Sequence, residues 1–478
     1  MARLGSLRAQ LRGRRFLLER LDSALLGHPP QDPFSDQRLS YRLGCLIAVA
    51  VLIAAAAMAV FKPAPALDDA PLVMSRQSGA LYVRVGSALH PVANLTSARL
   101  ILGAPVTPQL VDDDRLGSVE RGPMLGISGA PHQIGSPISP SDVRWTVCDN
   151  DDRTTLVAVG HADDVALVGH ADDVAPVGPA NRVAAVGDRE AILVRAAHGD
   201  QTAYLLYDGG RAAIDPGDPV LERTFHLAGL IPRPVSSALL NLIPEVTPIA
   251  VPRIPGAGQP SMMSGILTGT VLSVARTGAD EHYVTLRDGL QRVGQVVADL
   301  LRFADPHAAA EIVTVAPDVV AGSPLVDVLP TVTYPDQVPT VLDPDGWVCA
   351  EWSAGRTAIT HDAAPSEGAM PLGLARADGD GPAVDFVSLP RGHSVDVTAT
   401  SPGDMTGPGD RYLITDAGVR YSVADSQDAA ALGLSDRPTL APRSLIAALP
   451  EGPELNRAAA LFAQDVLGVL GARPAAPE

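Results

Sequence analysis

Any chemistry performed by this 478-residue chain would have to come from a few places. The densest set of metal-type donors is a tandem copy, in which Val159-Gly-His-Ala-Asp-Asp-Val-Ala166 recurs as Val168-Gly-His-Ala-Asp-Asp-Val-Ala175. Imidazole and carboxylate donors at this spacing, from His161, Asp163, Asp164, His170, Asp172 and Asp173, suit a divalent cation. Two identical copies side by side point instead to a recent duplication in a tolerant loop, and no metal is expected there. Nucleotide chemistry would need a lysine on the phosphates, within a G-x-x-x-x-G-K-[ST] loop. The chain's single lysine, Lys62, has no such context. H-E-x-x-H and G-x-S-x-G are absent too. The Gly-rich stretches Gly126–Gly129 and Gly403–Gly409 lack a strand–loop–helix setting. His226, His282 and His393 are isolated and read as surface or core residues. The expectation is a chain with no catalytic residue, no cofactor-binding residue and no metal ligand, and so not an enzyme.

Two cysteines offer covalent chemistry of another kind. Cys148 and Cys349 sit in matching contexts, Trp145-Thr-Val-Cys148 and Trp347-Val-Cys349, each read as a short apolar strand. An even count in an oxidising compartment suggests one disulfide. The bond would close a loop of about 200 residues and contribute at most roughly 5 kcal/mol by chain entropy. The alternative is two buried thiols that never meet. With no histidine beside them, they do not form a zinc site. The third cysteine, Cys45, lies inside an apolar run and reads as a membrane residue.

The elements that would position these cysteines repeat. Leu81-Tyr-Val-Arg-Val-Gly86, Ala203-Tyr-Leu-Leu-Tyr-Asp-Gly209, His282-Tyr-Val-Thr-Leu-Arg-Asp-Gly289 and Arg411-Tyr-Leu-Ile-Thr-Asp-Ala-Gly418 share one pattern. In each, a tyrosine opens a short β-type run that stops at a glycine turn, and a second run follows, which predicts a β-hairpin. A helical piece comes next, at Asn94–Leu102, Pro219–Ala228, Gln295–Phe303 and Asp425–Leu434. A hairpin with a helix can bury a core that a hairpin alone cannot. The intervals from Tyr82 to Tyr204, Tyr283 and Tyr412 are 122, 79 and 129 residues. Both long intervals hold one cysteine. The layout is repeat, insert, repeat, repeat, insert, repeat, which is pseudo-twofold. It predicts two inserts pairing as a central β-rich core stapled by Cys148–Cys349, with repeats on either side.

Leu43–Phe61 is a run of nineteen residues without a charge, close to what a helix needs to cross a bilayer. Residues 1–61 carry eight Arg and four acidic residues, whereas the whole chain has a net charge of −18. Arg on the N-terminal side places that end in the cytoplasm and the acidic remainder outside. Ala64-Pro65-Ala66 leaves signal cleavage as an alternative. Leu4, Leu7, Leu11, Leu18, Leu21 and Leu25 draw an apolar stripe on a preceding helix. That helix either docks on a partner or membrane, or merely fixes topology. So acidic a body should repel nucleic acid and anionic lipid.

The segment Gly13-Arg-Arg-Phe-Leu-Leu-Glu-Arg-Leu-Asp-Ser-Ala-Leu25 resembles the cytoplasmic helix of EccB, a core component of type VII (ESX) secretion systems. Ser78-Gly-Ala-Leu-Tyr-Val-Arg-Val85, His90-Pro-Val-Ala-Asn-Leu-Thr-Ser-Ala-Arg-Leu-Ile101 and Gly122-Pro-Met-Leu-Gly-Ile-Ser-Gly-Ala-Pro131 are similar to that family's motifs. The resemblance covers essentially the whole chain. It implies an inner-membrane complex with EccC, EccD, EccE and the mycosin protease, and self-association through the periplasmic domain. Family members are sometimes labelled ATPases, a label for which this sequence has no phosphate-binding lysine. The expected fold is α+β: a single N-terminal transmembrane helix and an elongated periplasmic domain of four small α+β repeats around the β-rich core. The expected segments begin with a basic helix (1–42), the span (43–61), a linker (62–77), repeat 1 (78–131) and the first insert of the central core (132–200), which holds Cys148. Repeat 2 (201–255), repeat 3 (256–335), the second insert of the central core with Cys349 (336–405), repeat 4 (406–455) and a C-terminal segment (456–478) follow. The rival reading is an envelope anchor that binds peptidoglycan or another glycan.

Overall fold

The structure, a computed structural model, describes residues 13–18, 21–22, 24–27, 35–61, 70–141, 143–150, 155–160, 184–187, 189–276, 280–304, 312–353, 355–361, 371–400 and 409–464. The His-Ala-Asp-Asp duplication lies outside them. The chain divides into two units, Met1–Ala70 and Pro71–Glu478.

In the first unit, residues 13–18 are helical, and Ser35–Phe61 forms one helix of 27 residues. Ala and Leu favour the helix. Leu43, Leu46, Ile47, Leu52 and Ile53 are all exposed. Among the described residues no helix is long and apolar enough to cross a membrane. The stretch of this helix with described side chains, residues 41–54, is shorter than the ~20 residues that a bilayer core needs.

Among the described residues, the second unit contains five sheets. The central one has seven strands, in the order Leu372–Gly373, Phe386–Ser388, Thr155–Gly160, Arg144–Asp149, Val348–Ser353, Arg356–His361, Ala184–Ala185. Side chains alternate across a strand. Trp145 and Val147 therefore enter the main core with Val348 and Ala350, while Cys148 and Cys349 turn to the other face with Trp347 and Phe386.

The four smaller sheets share one order of elements. The first runs Leu72–Ser75, Leu81–Val85, Ala88–Val92, helix Leu95–Leu102, then Gln109–Val111 lying parallel to the opening strand. The second runs Glu190–Ala196, Ala203–Tyr207, Gly210–Ile214, helix Pro219–Phe225, Arg233–Val235. The third runs Val271–Val274, Glu281–Thr285, Leu290–Val293, helix Gln295–Ala304, Val313–Thr314. The fourth runs His393–Thr400, Arg411–Thr415, Arg420–Ser422, helix Ser426–Leu432, Thr439–Pro442. In each, a later segment returns parallel to the third strand, through Leu125 beside Val92, Glu245–Ile249 beside Gly210–Ile214, Leu325 beside Leu290, and Glu451 beside Arg420. The tyrosine hairpins lie where the sequence pattern puts them. The opening strands lie ahead of each tyrosine motif, so the second and fourth sheets begin inside stretches expected to belong to the core.

Local chemistry sets the ends of these elements. Asn94, Asp218 and Asp425 cap their helices by accepting from Ser97, Val220 and Asp428 N–H at 2.7–2.8 Å. The second hairpin turns through Asp208 and Gly209, both at positive φ (45° and 68°), the tight turn that matches strand twist. Burial then joins the sheets. The main core combines the central sheet with the second and fourth sheets. A second core joins the first and fourth sheets, and a third packs the helix of the third sheet, through Val296 and Leu300, onto the second.

Candidate functional site

Cys148 and Cys349 are bonded, 201 residues apart in sequence, and lie directly opposite each other on adjacent antiparallel strands. The bond is fully buried between Trp347 and Phe386. Beside it, Trp145 donates its indole N–H to Leu440 O of the fourth sheet at 3.3 Å.

Next to the disulfide, Asp149 is the described carboxylate whose acidity the fold alters most. Burial pushes its pKa up to about 6, while the hydrogen bonds from Ser236 and Thr155 and the nearby Arg233 charge oppose that rise. Oδ2 accepts from Ser236 N–H at 2.6 Å, and Oδ1 accepts from Thr155 Oγ1 at 2.9 Å. Ser236 in turn caps the helix Ser237–Leu242 of the second sheet. Asp149 therefore ties the central sheet to the second. Asp385 accepts from Asp378 and Gly379 N–H, both at 2.9 Å, and from Thr155 N–H at 3.3 Å. Arg233 donates to Pro344 O and Gly346 O. The oxygens of both buried aspartates are thus engaged by protein donors, which suits joining rather than acid–base work.

Several other polar and charged contacts also join elements. Arg411 grips Asp396 with two hydrogen bonds of 2.8 and 2.6 Å, and Arg144 meets Glu351 across the central sheet at 2.7 Å. Arg99 reaches Leu432 O at 3.2 Å, from the first sheet to the fourth. Tyr207 Oη donates to Thr333 O at 2.7 Å, and burial raises its pKa. Three of the four opening tyrosines carry an arginine over the ring: Tyr82 with Arg121, Tyr204 with Arg211 and Tyr412 with Arg420, at 5.1–5.6 Å. Arg211 and Arg420 also pair with Glu245 and Glu451, at 3.2 and 2.7 Å. Tyr204 and Tyr412 pack on the main core. Tyr283 is buried, and its hydroxyl lies 3.2 Å from Glu281. Among the described residues no three His, Cys, Asp or Glu side chains form a metal-type group. Sequence reading identified the cysteines and the tyrosines. It missed Asp149, whose one signal is an acidic residue directly after a buried cysteine strand.

These features define a modular structural protein, in which small sheets are locked to a disulfide-stapled core by shared apolar clusters and interlocking polar contacts. Similarity to known proteins agrees. The family described as type VII secretion system ESX-1, transport TM domain B (EccB), matches residues 5–469, and the chain belongs to it. A Mycolicibacterium smegmatis protein named ESX-3 secretion system ATPase EccB3 is 33% identical, over 96% of this chain and 91% of that protein. A chain in a structure of an intact ESX-5 inner-membrane complex aligns with a TM-score of 0.71 and 30% identity, covering 98% of each chain. A structure of an EccB3 dimer from the ESX-3 core complex aligns with a TM-score of 0.69 and 31% identity, over 82% of this chain and all of that one.

Proposed function

We propose that this chain is a structural component of a type VII secretion inner-membrane complex, and that its disulfide-stapled body mediates dimerisation and higher assembly. The observation that carries this reading is the alignment, over 98% of the chain, with a member of an intact inner-membrane complex. The dimer among the solved relatives supports self-association. EccC, EccD, EccE and the mycosin protease are the expected companions. The chain is anchored by one span at residues 43–61, with its N-terminus in the cytoplasm and its body in the periplasm. The uncharged run and the exposed apolar side chains among residues 41–54 support the span, and the Arg residues on its N-terminal side support the orientation. The body consists of four repeats arranged pseudo-twofold about the central sheet. The like order of strands in the four small sheets supports this arrangement.

ATP hydrolysis is outside this reading, although relatives carry the word in their names. The chain has one lysine and no phosphate-binding loop around it. The test is to purify the tagged chain from native membranes in mild detergent and resolve it on a native gel with mass spectrometry. A large complex containing the EccC, EccD and EccE homologues is expected. A lone monomer or dimer, under conditions that preserve other membrane complexes, would defeat the proposal.

A further inference from the structure

The first and third small sheets end differently. In the first, the returning segment Met124–Leu125 is closed on its outer side by the antiparallel strand Ala463–Gln464. In the third, the returning segment has its inner side satisfied: Leu290 N–H donates to Pro324 O at 2.8 Å, and Val326 N–H donates to Leu290 O at 2.9 Å. Successive N–H groups of an extended chain point opposite ways, so those of Leu325 and Asp327 face outward. No described residue accepts from either of them, and no described strand lies on that side.

The side chains there are uncovered. Leu325 is 64% exposed, Val328 58% and Val332 89%. Leu325 and Val332 border a cleft of about 1120 Å³, whose walls also carry Asp280, Glu281, Asp299, Asp327 and Asp336 against Arg292 and Arg302. Asp299 pairs with Arg302, and Glu281 with Arg276 and Arg292. The carboxylates of Asp280 and Asp336 have no ion-pair partner among the described residues. His282 Nδ1 and Arg302 Nε are buried in the cleft wall without a hydrogen bond.

We propose that this edge and cleft receive an extended strand from another protein, one that alternates apolar and basic side chains. Strand addition would satisfy the outward N–H groups with the carbonyls of the incoming chain. Alternate apolar residues would cover Leu325 and Val332, and the basic residues between them would meet the unpaired carboxylates. A second copy of this chain is a poor occupant. Its net charge is −18, and its Arg-rich N-terminal segment is helical where described, at residues 13–18. The inference stands apart from membership of the secretion complex: a chain that failed to enter that complex would still offer this edge.

The experiment titrates the full-length protein in detergent with a fluorescein-labelled octapeptide of alternating Val and Lys, read by fluorescence anisotropy. Saturable binding is expected, and it should weaken as salt rises from about 50 to about 300 mM. Val332→Lys and Asp327→Pro should each weaken binding about tenfold, the first by charge and lost contact, the second by removing an N–H donor. Val332 is so exposed that its replacement leaves the fold intact, which keeps the test informative should the proline variant misfold. The matching Val and Glu octapeptide should not bind. The proposal is overturned by the absence of saturable binding, by equal binding of the two peptides, or by a Val332→Lys protein that binds as the unaltered chain does.

Discussion

Asp149 and the neighbouring disulfide are both buried in the central sheet, and each makes a prediction about stability. Cys148→Ser should lower the unfolding free energy by about 2–5 kcal/mol, because the bond closes a very long loop. Thermal melting of the full chain in detergent, with and without the substitution, measures this. An unchanged melting temperature, with both thiols free in the unaltered protein, would contradict it. Asp149 makes a second prediction, in pH. Its folded pKa is raised from 3.8 to about 6, so the folded state binds the proton more tightly than the unfolded state does. Between those values stability from this group falls as pH rises, and above about 6 the loss is complete. The unaltered protein should therefore gain stability relative to Asp149→Asn on going from pH 7 to pH 5, by about 1 kcal/mol. Denaturant melts at the two pH values check the difference. A stability difference between the two proteins that stays constant, or that shifts in favour of Asp149→Asn toward pH 5, would show that Asp149 does not titrate in this way. The cysteines were legible in the sequence from parity and context. Asp149 was not, because its role depends on Ser236 and Thr155, which other strands and helices deliver to it.

Hairpins and caps carry the next predictions. Gly209 sits at φ 68°, and a Cβ there would lie 2.1 Å from Thr357 O on the central sheet. Gly209→Ala should therefore destabilise the chain by about 2 kcal/mol or more, through turn strain and the lost approach of hairpin to core. Thermal melting checks this, and a loss below about 0.5 kcal/mol would mean that the approach is not maintained. Truncation after Asn456 removes the helix Arg457–Ala460 and the strand Ala463–Gln464, which cover the first small sheet. Hydrogen exchange should then quicken at Met124–Leu125 and leave the central strands Arg144–Asp149 and Val348–Ser353 unchanged. Uniform quickening would show that this terminus stabilises more than its own sheet. The hairpins were readable because alternation and a glycine turn are local signals. The opening strands, such as Leu72–Ser75 and Val271–Val274, were not. These two are four residues long, and none of the four opening strands carries a tyrosine–glycine signature; their identity comes only by pairing.

For the assembled protein, the absence of a phosphate-binding lysine leads to the prediction that purified chain hydrolyses no ATP above background. Turnover that survives removal of contaminating ATPases, and that disappears with a point change in this chain, would reverse that reading. The family motifs, the nineteen-residue apolar run, the basic N-terminal side and the four tyrosine hairpins were all set by the sequence alone. Each is a matter of composition or short-range periodicity, which neighbouring residues dictate without reference to the rest of the chain. Only the tertiary structure decided that Cys148 faces Cys349, that the first small sheet shares a core with the fourth and the third with the second, and that Ala463–Gln464 closes an edge more than three hundred residues upstream. Such pairings depend on which apolar faces complement one another and on strand register. A one-residue slip in register would turn every side chain of a strand to the opposite face. Local pattern records that a face is apolar; the surface that buries it is selected by packing across the whole chain.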